Sequence, residues 1–175
     1  MNRLYLLAAA AAVALVPAAP AVAGTSSKGN IVATAMSSPQ HKTLVAAIKA
    51  AGLVDTLASG GPFTVFAPTD AAFAKLPAGT VDTLLQPANL SQLKAVLTYH
   101  VVPGKVTAAQ LVNTIQSSDG SAQLTTVQGG KLTASLDGGS VILTDATGGK
   151  ARVVATDHAS KNGIIHVTDA VSLPQ

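Results

Sequence analysis

Asn162-Gly163-Ile164-Ile165-His166-Val167-Thr168-Asp169-Ala170-Val171-Ser172-Leu173-Pro174 is the stretch whose pattern decides the fold. An Asn-Gly pair tolerates the left-handed backbone of a tight turn, and the β-branched residues after it have stiff side chains suited to a pleated strand. A turn therefore feeds a strand. Alternation sends Ile165, Val167 and Val171 to one face and Ile164, His166 and Thr168 to the other. One ionisable ring thus enters an apolar segment, and the strand is expected at the centre of a sheet.

A second stretch answers it: Phe63-Thr64-Val65-Phe66-Ala67-Pro68-Thr69-Asp70-Ala71-Ala72-Phe73-Ala74-Lys75-Leu76-Pro77. Residues 63–67 form a strand that Pro68 stops, and Thr69 or Asp70 supplies an acceptor for the free amides of a short helix that Pro77 ends. All three phenylalanines, Phe63, Phe66 and Phe73, lie here, so much of the core's bulk is concentrated in it. The two stretches are expected to pack together.

A third segment, Leu93-Lys94-Ala95-Val96-Leu97-Thr98-Tyr99-His100-Val101-Val102-Pro103-Gly104, lies between them. In order and spacing the three resemble the first box, the Tyr-His box and the second box of the fasciclin-like adhesion domain, here in a single-domain secreted member of bacterial type. The resemblance spans residues 30–174. It implies an α+β fold, a β-sandwich or wedge of about seven strands with a layer of short helices, and Thr69, Asp70, Asn162, Gly163, His166 and Asp169 as its structural motif positions. It also implies a role in adhesion or protein binding at a cell surface or in an extracellular matrix, with the Tyr99-His100 pair and its flanking Leu97, Val101 and Val102 as candidate contact residues. Some members of that family carry carotenoids, so an apolar carotenoid-like or lipid-like ligand is the alternative. A general envelope or matrix stress protein is a further one.

Composition narrows the classes. Charged residues are only 11% of the chain against about a quarter in ordinary soluble domains, so the surface relies on hydroxyls, amides and backbone for its polarity. The isoelectric point of 9.3 reflects 11 Lys and Arg against 8 Asp and no Glu. The cations are scattered, without the basic track that nucleic acid requires, and no nucleic-acid partner is expected. Cysteine is absent, which removes disulfides, thiol chemistry and a lipid-modified N-terminal Cys.

Residues 1–23 hold Arg3, an apolar run over 4–16, Pro17 and Pro20, and Ala21-Val22-Ala23 before Gly24. That is the pattern of a secretory signal peptide cleaved after Ala23, and the run is short for a membrane span. The expectation is an extracellular or periplasmic protein with no membrane span after cleavage, a short linker at 24–29 and one domain at 30–174. Helical signals follow: Asn30 capping 31–36, a longer helix from Ser38-Pro39 to Gly52, then 53–57, a helix from Thr80, and one from Asn89 or Ser91 that runs into Tyr99-His100. After a short helix at 107–112, residues 124–127, 131–136, 141–144 and 151–156 read as strands separated by Gly129-Gly130, Gly138-Gly139 and Gly148-Gly149 hairpins.

No enzyme chemistry stands out. Gly138-Gly139-Ser140-Val141-Ile142 departs from a nucleophile elbow at its last position, and the glycine pairs lack the residues of a phosphate loop. Asp157-His158-Ala159-Ser160 has triad residue types, but neighbours in one turn do not thereby share a hydrogen-bonded geometry. His41 and His158 read as solvated, while His100 and His166 read as buried strand residues that fasten the core. No metal or other cofactor is expected, because no His-x-x-x-His spacing supports one. Asp70 reads as a helix cap and Asp169 as an acceptor near the closing strand. Asn89-Leu90-Ser91 fits a glycosylation sequon or a helix cap, and Arg-Gly-Asp is absent. For Tyr99-His100 two roles stay open: a strand after a helix would point them to opposite faces, either toward a partner or into the core.

Overall fold

The computed structural model describes residues 29–174. The expected leader at 1–23 and nearly all of the linker lie outside the described residues. Three helices come first, α1 (Ile31–Ser37), α2 (Lys42–Ala50) and α3 (Val54–Ser59), then strand β1 (Phe63–Pro68) and helices α4 (Asp70–Ala74), α5 (Thr80–Leu85) and α6 (Leu90–Tyr99). Strand β2 (Val101–Pro103) and helix α7 (Ala108–Ser117) lead into β3 (Ser121–Thr125), β4 (Lys131–Asp137), β5 (Ser140–Thr144), β6 (Lys150–Ser160) and β7 (Gly163–Thr168). The fold is α+β. Helices this short hold through their buried faces more than through intrinsic propensity.

The strands make one mixed sheet in the order β2-β1-β7-β6-β5-β4-β3. Strands β1 and β7 run parallel in the register Phe63↔Gly163 to Pro68↔Thr168, and the other pairs are antiparallel. The sheet curls until its two ends meet: just beyond β3, Val127 N–H donates to Val101 O of β2 at 2.8 Å. The wedge is therefore nearly a barrel.

Two cores follow from the curl. One, with Ile31, Leu44, Ile48, Phe73, Leu93 and Leu97, lies between the helices and the outer side of β1 and β7, which contribute Val65, Ala67 and Ile165. The other fills the curled sheet, with Phe66, Tyr99, Leu111, Ile115, Leu132 and Leu143. Strand β7 is buried at every position, as a central parallel strand covered on both faces must be.

Several sequence expectations shift. Neither Asn162 nor Gly163 has a positive φ, so the pair does not serve a left-handed turn. Asn162 instead ties three elements. Its Oδ1 accepts from Ile31 N at 2.9 Å, and its Nδ2 donates to Leu57 O at 2.6 Å and Gly60 O at 2.9 Å. A Cβ on Gly163 would run into the Phe63 carbonyl oxygen, so close approach of β1 is what requires glycine there. The helix expected from Ser38 begins at Lys42, after a turn. The strand expected at 124–127 is β3, set three residues earlier. Asp157-His158-Ala159-Ser160 is strand and not turn: β6 runs through it with register shifts, and Asp157 takes a φ of 58°. The glycine hairpins stand as expected, with Gly129, Gly138, Gly139 and Gly148 at positive φ.

Candidate functional site

The Tyr-His pair sits where α6 becomes β2. Leu93, Val96 and Leu97 bury one face of α6, and the helix ends with Tyr99 as its last residue and His100 as its C-cap. The expected strand carrying the two side chains to opposite faces is not formed, because the extended backbone starts only after both, at Val101. His100 nevertheless joins the sheet, since its carbonyl accepts from Phe66 N at 2.9 Å.

Tyr99 is 1% exposed. Its hydroxyl donates to Lys131 O at 2.7 Å and accepts from Ala146 N at 3.0 Å, so one phenol links the start of β4 to the β5–β6 turn. Burial raises its pKa, with the Ala146 amide pulling the other way. Gly130 lies flat against this ring: a Cβ there would come within 2.7 Å of Tyr99 Cε2.

His100 is 3% exposed. Its Nδ1 lies 2.7 Å from Val96 O, and its Nε2 lies 3.0 Å from Ser172 N. A carbonyl can only accept and an amide N–H can only donate, so the ring is neutral with its proton on Nδ1. Burial lowers its pKa, against the pull of the Val96 carbonyl and the Asp145 charge. Asp145, 7% exposed, completes the cluster. Its Oδ1 accepts from Thr147 N, Thr147 Oγ1 and Gly149 N at 3.0, 2.7 and 2.7 Å, and its Oδ2 accepts from Leu173 N at 2.9 Å.

The other three candidates are buried too. Leu97 and Val101 belong to the core beneath the helices, and Val102 to the core within the sheet. Of the two roles open to Tyr99-His100 in the sequence, the structure places both side chains inward. None of the five presents a contact surface.

The remaining motif positions tie other elements of the fold together. Thr69 caps α4 by accepting from Ala72 N at 3.2 Å. Asp70 caps a different helix from the one expected: its Oδ1 accepts from Thr43 N at 2.8 Å in the first turn of α2. His166, stacked on Phe66 with ring centroids 5.5 Å apart, donates from Nε2 to Val106 O at 2.8 Å and accepts at Nδ1 from Asp157 N at 3.4 Å. Asp169 Oδ1 accepts from Arg152 N at 2.8 Å, tying β6 to the segment after β7.

His41 corrects its sequence expectation, being buried and bonded through Nδ1 to Ser38 Oγ at 2.8 Å. His158 is exposed, but on a strand. Ser160 donates its hydroxyl to Gly163 O at 3.0 Å and so does not form a triad with its neighbours. No group of three or more His, Cys, Asp or Glu side chains among the described residues could hold a metal. A groove of about 540 Å³ opens between the α1–α2 turn and strands β6 and β7, lined by Pro39, His41, Val154, His158, Ile165 and Val167.

Sequence reasoning missed Asp145 and Ser172. The run Asp145-Ala146-Thr147-Gly148-Gly149 marks a side-chain-braced turn, and that signal was there to use. Nothing local tells that Leu173 is its other partner.

Comparison with known proteins places this architecture. A solved pair of FAS1 domains from the insect cell adhesion molecule fasciclin I superposes with a TM-score of 0.71 at 24% identity, over 82% of this chain and 50% of that one. The fold is thus the FAS1 fold, and the chain spans half the length of that solved chain. The fasciclin domain family model matches residues 39–174, and the chain belongs to this family. Among its relatives, protein sll1483 of Synechocystis is 47% identical over 87% of this chain and 77% of its own. Immunogenic protein MPB70 of Mycobacterium bovis is 37% identical over 90% and 76%. Cell surface glycolipoprotein MPB83 of the same species is 39% identical over 63% and 51%.

Proposed function

We propose that the protein is an exported, non-enzymatic adhesion domain that meets a cell-surface or matrix protein through its outer surface. Membership of the fasciclin domain family, with a relative named for the cell surface, carries this reading. The site chemistry agrees with it: His100 and His166 have both ring nitrogens engaged, and the Ser160 hydroxyl is committed to a carbonyl. Tyr99 and His100 act from beneath, by holding the turns that form the surface. The test is binding of the purified protein to surface and matrix fractions of its own host. Saturable binding that Tyr99→Phe weakens, with the fold intact, is expected. Absence of binding removes the adhesion role, and binding untouched by Tyr99→Phe removes the positioning role.

The groove favours a second reading, transport of an apolar small ligand. Its volume suits a small molecule, and Val154 at its wall is 54% exposed. Native mass spectrometry and an absorption spectrum, on protein taken without detergent from the exported fraction of its host, decide this. A stoichiometric added mass or a chromophore supports the carrier, and a clean protein mass removes it.

A further inference from the structure

After β7 the chain crosses the α6–β2 junction as an irregular segment, residues 169–173. Val171 packs against the core beneath the helices and Ala170 against the core inside the sheet, and Ser172 is 3% exposed. At its end this segment is held by two backbone N–H groups, and both donate to ionisable side chains. Ser172 N donates to His100 Nε2 at 3.0 Å, and Leu173 N donates to Asp145 Oδ2 at 2.9 Å. A backbone carbonyl in either place would hold at any pH. The His100 acceptor holds only while Nε2 carries no proton.

We propose that residues 170–173 form an acid-released strap. A proton taken from solvent onto His100 Nε2 fills the lone pair that receives the Ser172 N–H and sets two donors face to face. The strap lifts while the sheet stays folded. The other ring bond survives, because Nδ1 keeps its proton and its Val96 acceptor.

Two groups face the ring, one from the residue before it and one from a neighbouring element. The Tyr99 phenol stands edge-on with centroids 6.5 Å apart, and the Asp145 carboxylate in the β5–β6 turn favours the imidazolium. Burial opposes that charge while the strap is closed. Lifting the strap admits water and leaves Asp145 Oδ2 without Leu173, so the open state takes up the proton more readily. The closed state is therefore at full strength above the ordinary histidine value of 6.5 and weakens progressively as the pH falls below it. His166 has the same bonding polarity and is faced by Asp157, His158 and Phe66, but its amide partner is in β6 and not in the strap.

The strap is independent of whatever the outer surface binds. Its test is nuclear magnetic resonance on the whole protein, following the His100 ring nitrogens and the exchange of the Ser172 and Leu173 amides from about pH 8 to about pH 5. After correction for intrinsic exchange, both amides are expected to lose at least about tenfold in protection as His100 protonates, which is about 1.4 kcal/mol, while β7 amides stay protected. Amides that stay protected beside a protonated His100 overturn the proposal. So does loss that coincides with loss in β7. His100→Gln puts a non-titrating oxygen near the place of Nε2 and should hold the strap at low pH, and acid release persisting in that folded variant also overturns it. If the variant does not fold, the titration of the unaltered protein decides.

Discussion

Tyr99 shows how much one polar atom can organise. Its hydroxyl both donates and accepts, and the partners lie 32 and 47 residues further along the chain. Tyr99→Phe keeps the ring against Gly130 and removes both bonds. With both hydrogen bonds of the buried hydroxyl gone, the expected loss is about 1–3 kcal/mol, read as a shift in the urea midpoint with an unchanged slope. An unchanged midpoint would show that water replaces the hydroxyl at no cost. The sequence named Tyr99 and His100 as the positions that matter but left their direction open. Direction depends on whether a residue ends a helix or begins a strand, and here the helix runs through Tyr99 and the strand waits until Val101. His41 was misread because its burial comes from parts of the chain far along the sequence, with β6 and β7 across the groove from its turn.

At the scale of elements, the strands that carry the family motifs were legible because their residues are apolar and β-branched over an unbroken run. The glycine hairpins were legible because their backbone angles demand glycine. The continuation of β6 was not. Asp157, His158 and Ser160 are ordinary turn residues, and only the register shifts against β7 allow strand to pass through them. Gly163 was recognised for the wrong property. It sits where β1 leaves no space, so Gly163→Ala should cost more than a usual glycine substitution. We expect a loss above about 2 kcal/mol, seen as a large drop in thermal midpoint or in folded yield. Gly79→Ala is a useful control, since a Cβ there meets nothing within 4 Å and the strain is that of its φ of 85° alone. Equal losses in the two variants would remove the close-approach explanation.

Across the whole molecule, burial holds His41, His100 and His166 below their ordinary pKa of 6.5. The unfolded chain then binds more protons than the folded one once the pH falls below that value. Stability is full above 6.5 and declines as the pH drops toward the folded-state values. Each ring steepens the decline by at most about 1.4 kcal/mol per pH unit. Urea midpoints measured at about pH 7.5 and about pH 5 should therefore fall toward acid. A midpoint equal or higher at acid pH would mean that the rings titrate alike in both states. Without cysteine no disulfide opposes this loss, and the two apolar cores carry the stability.

The meeting of the sheet's two ends also bears on how copies of this chain behave toward one another. An open sheet offers its neighbours a rail of unpaired N–H and C=O groups, and crowded proteins polymerise along such rails. Here the first and last strands turn toward each other, and the Val127 to Val101 bond sits at the seam. The bond at the seam draws the edge strands β2 and β3 together, so a second copy of the chain finds less open edge to extend than a flat sheet would offer.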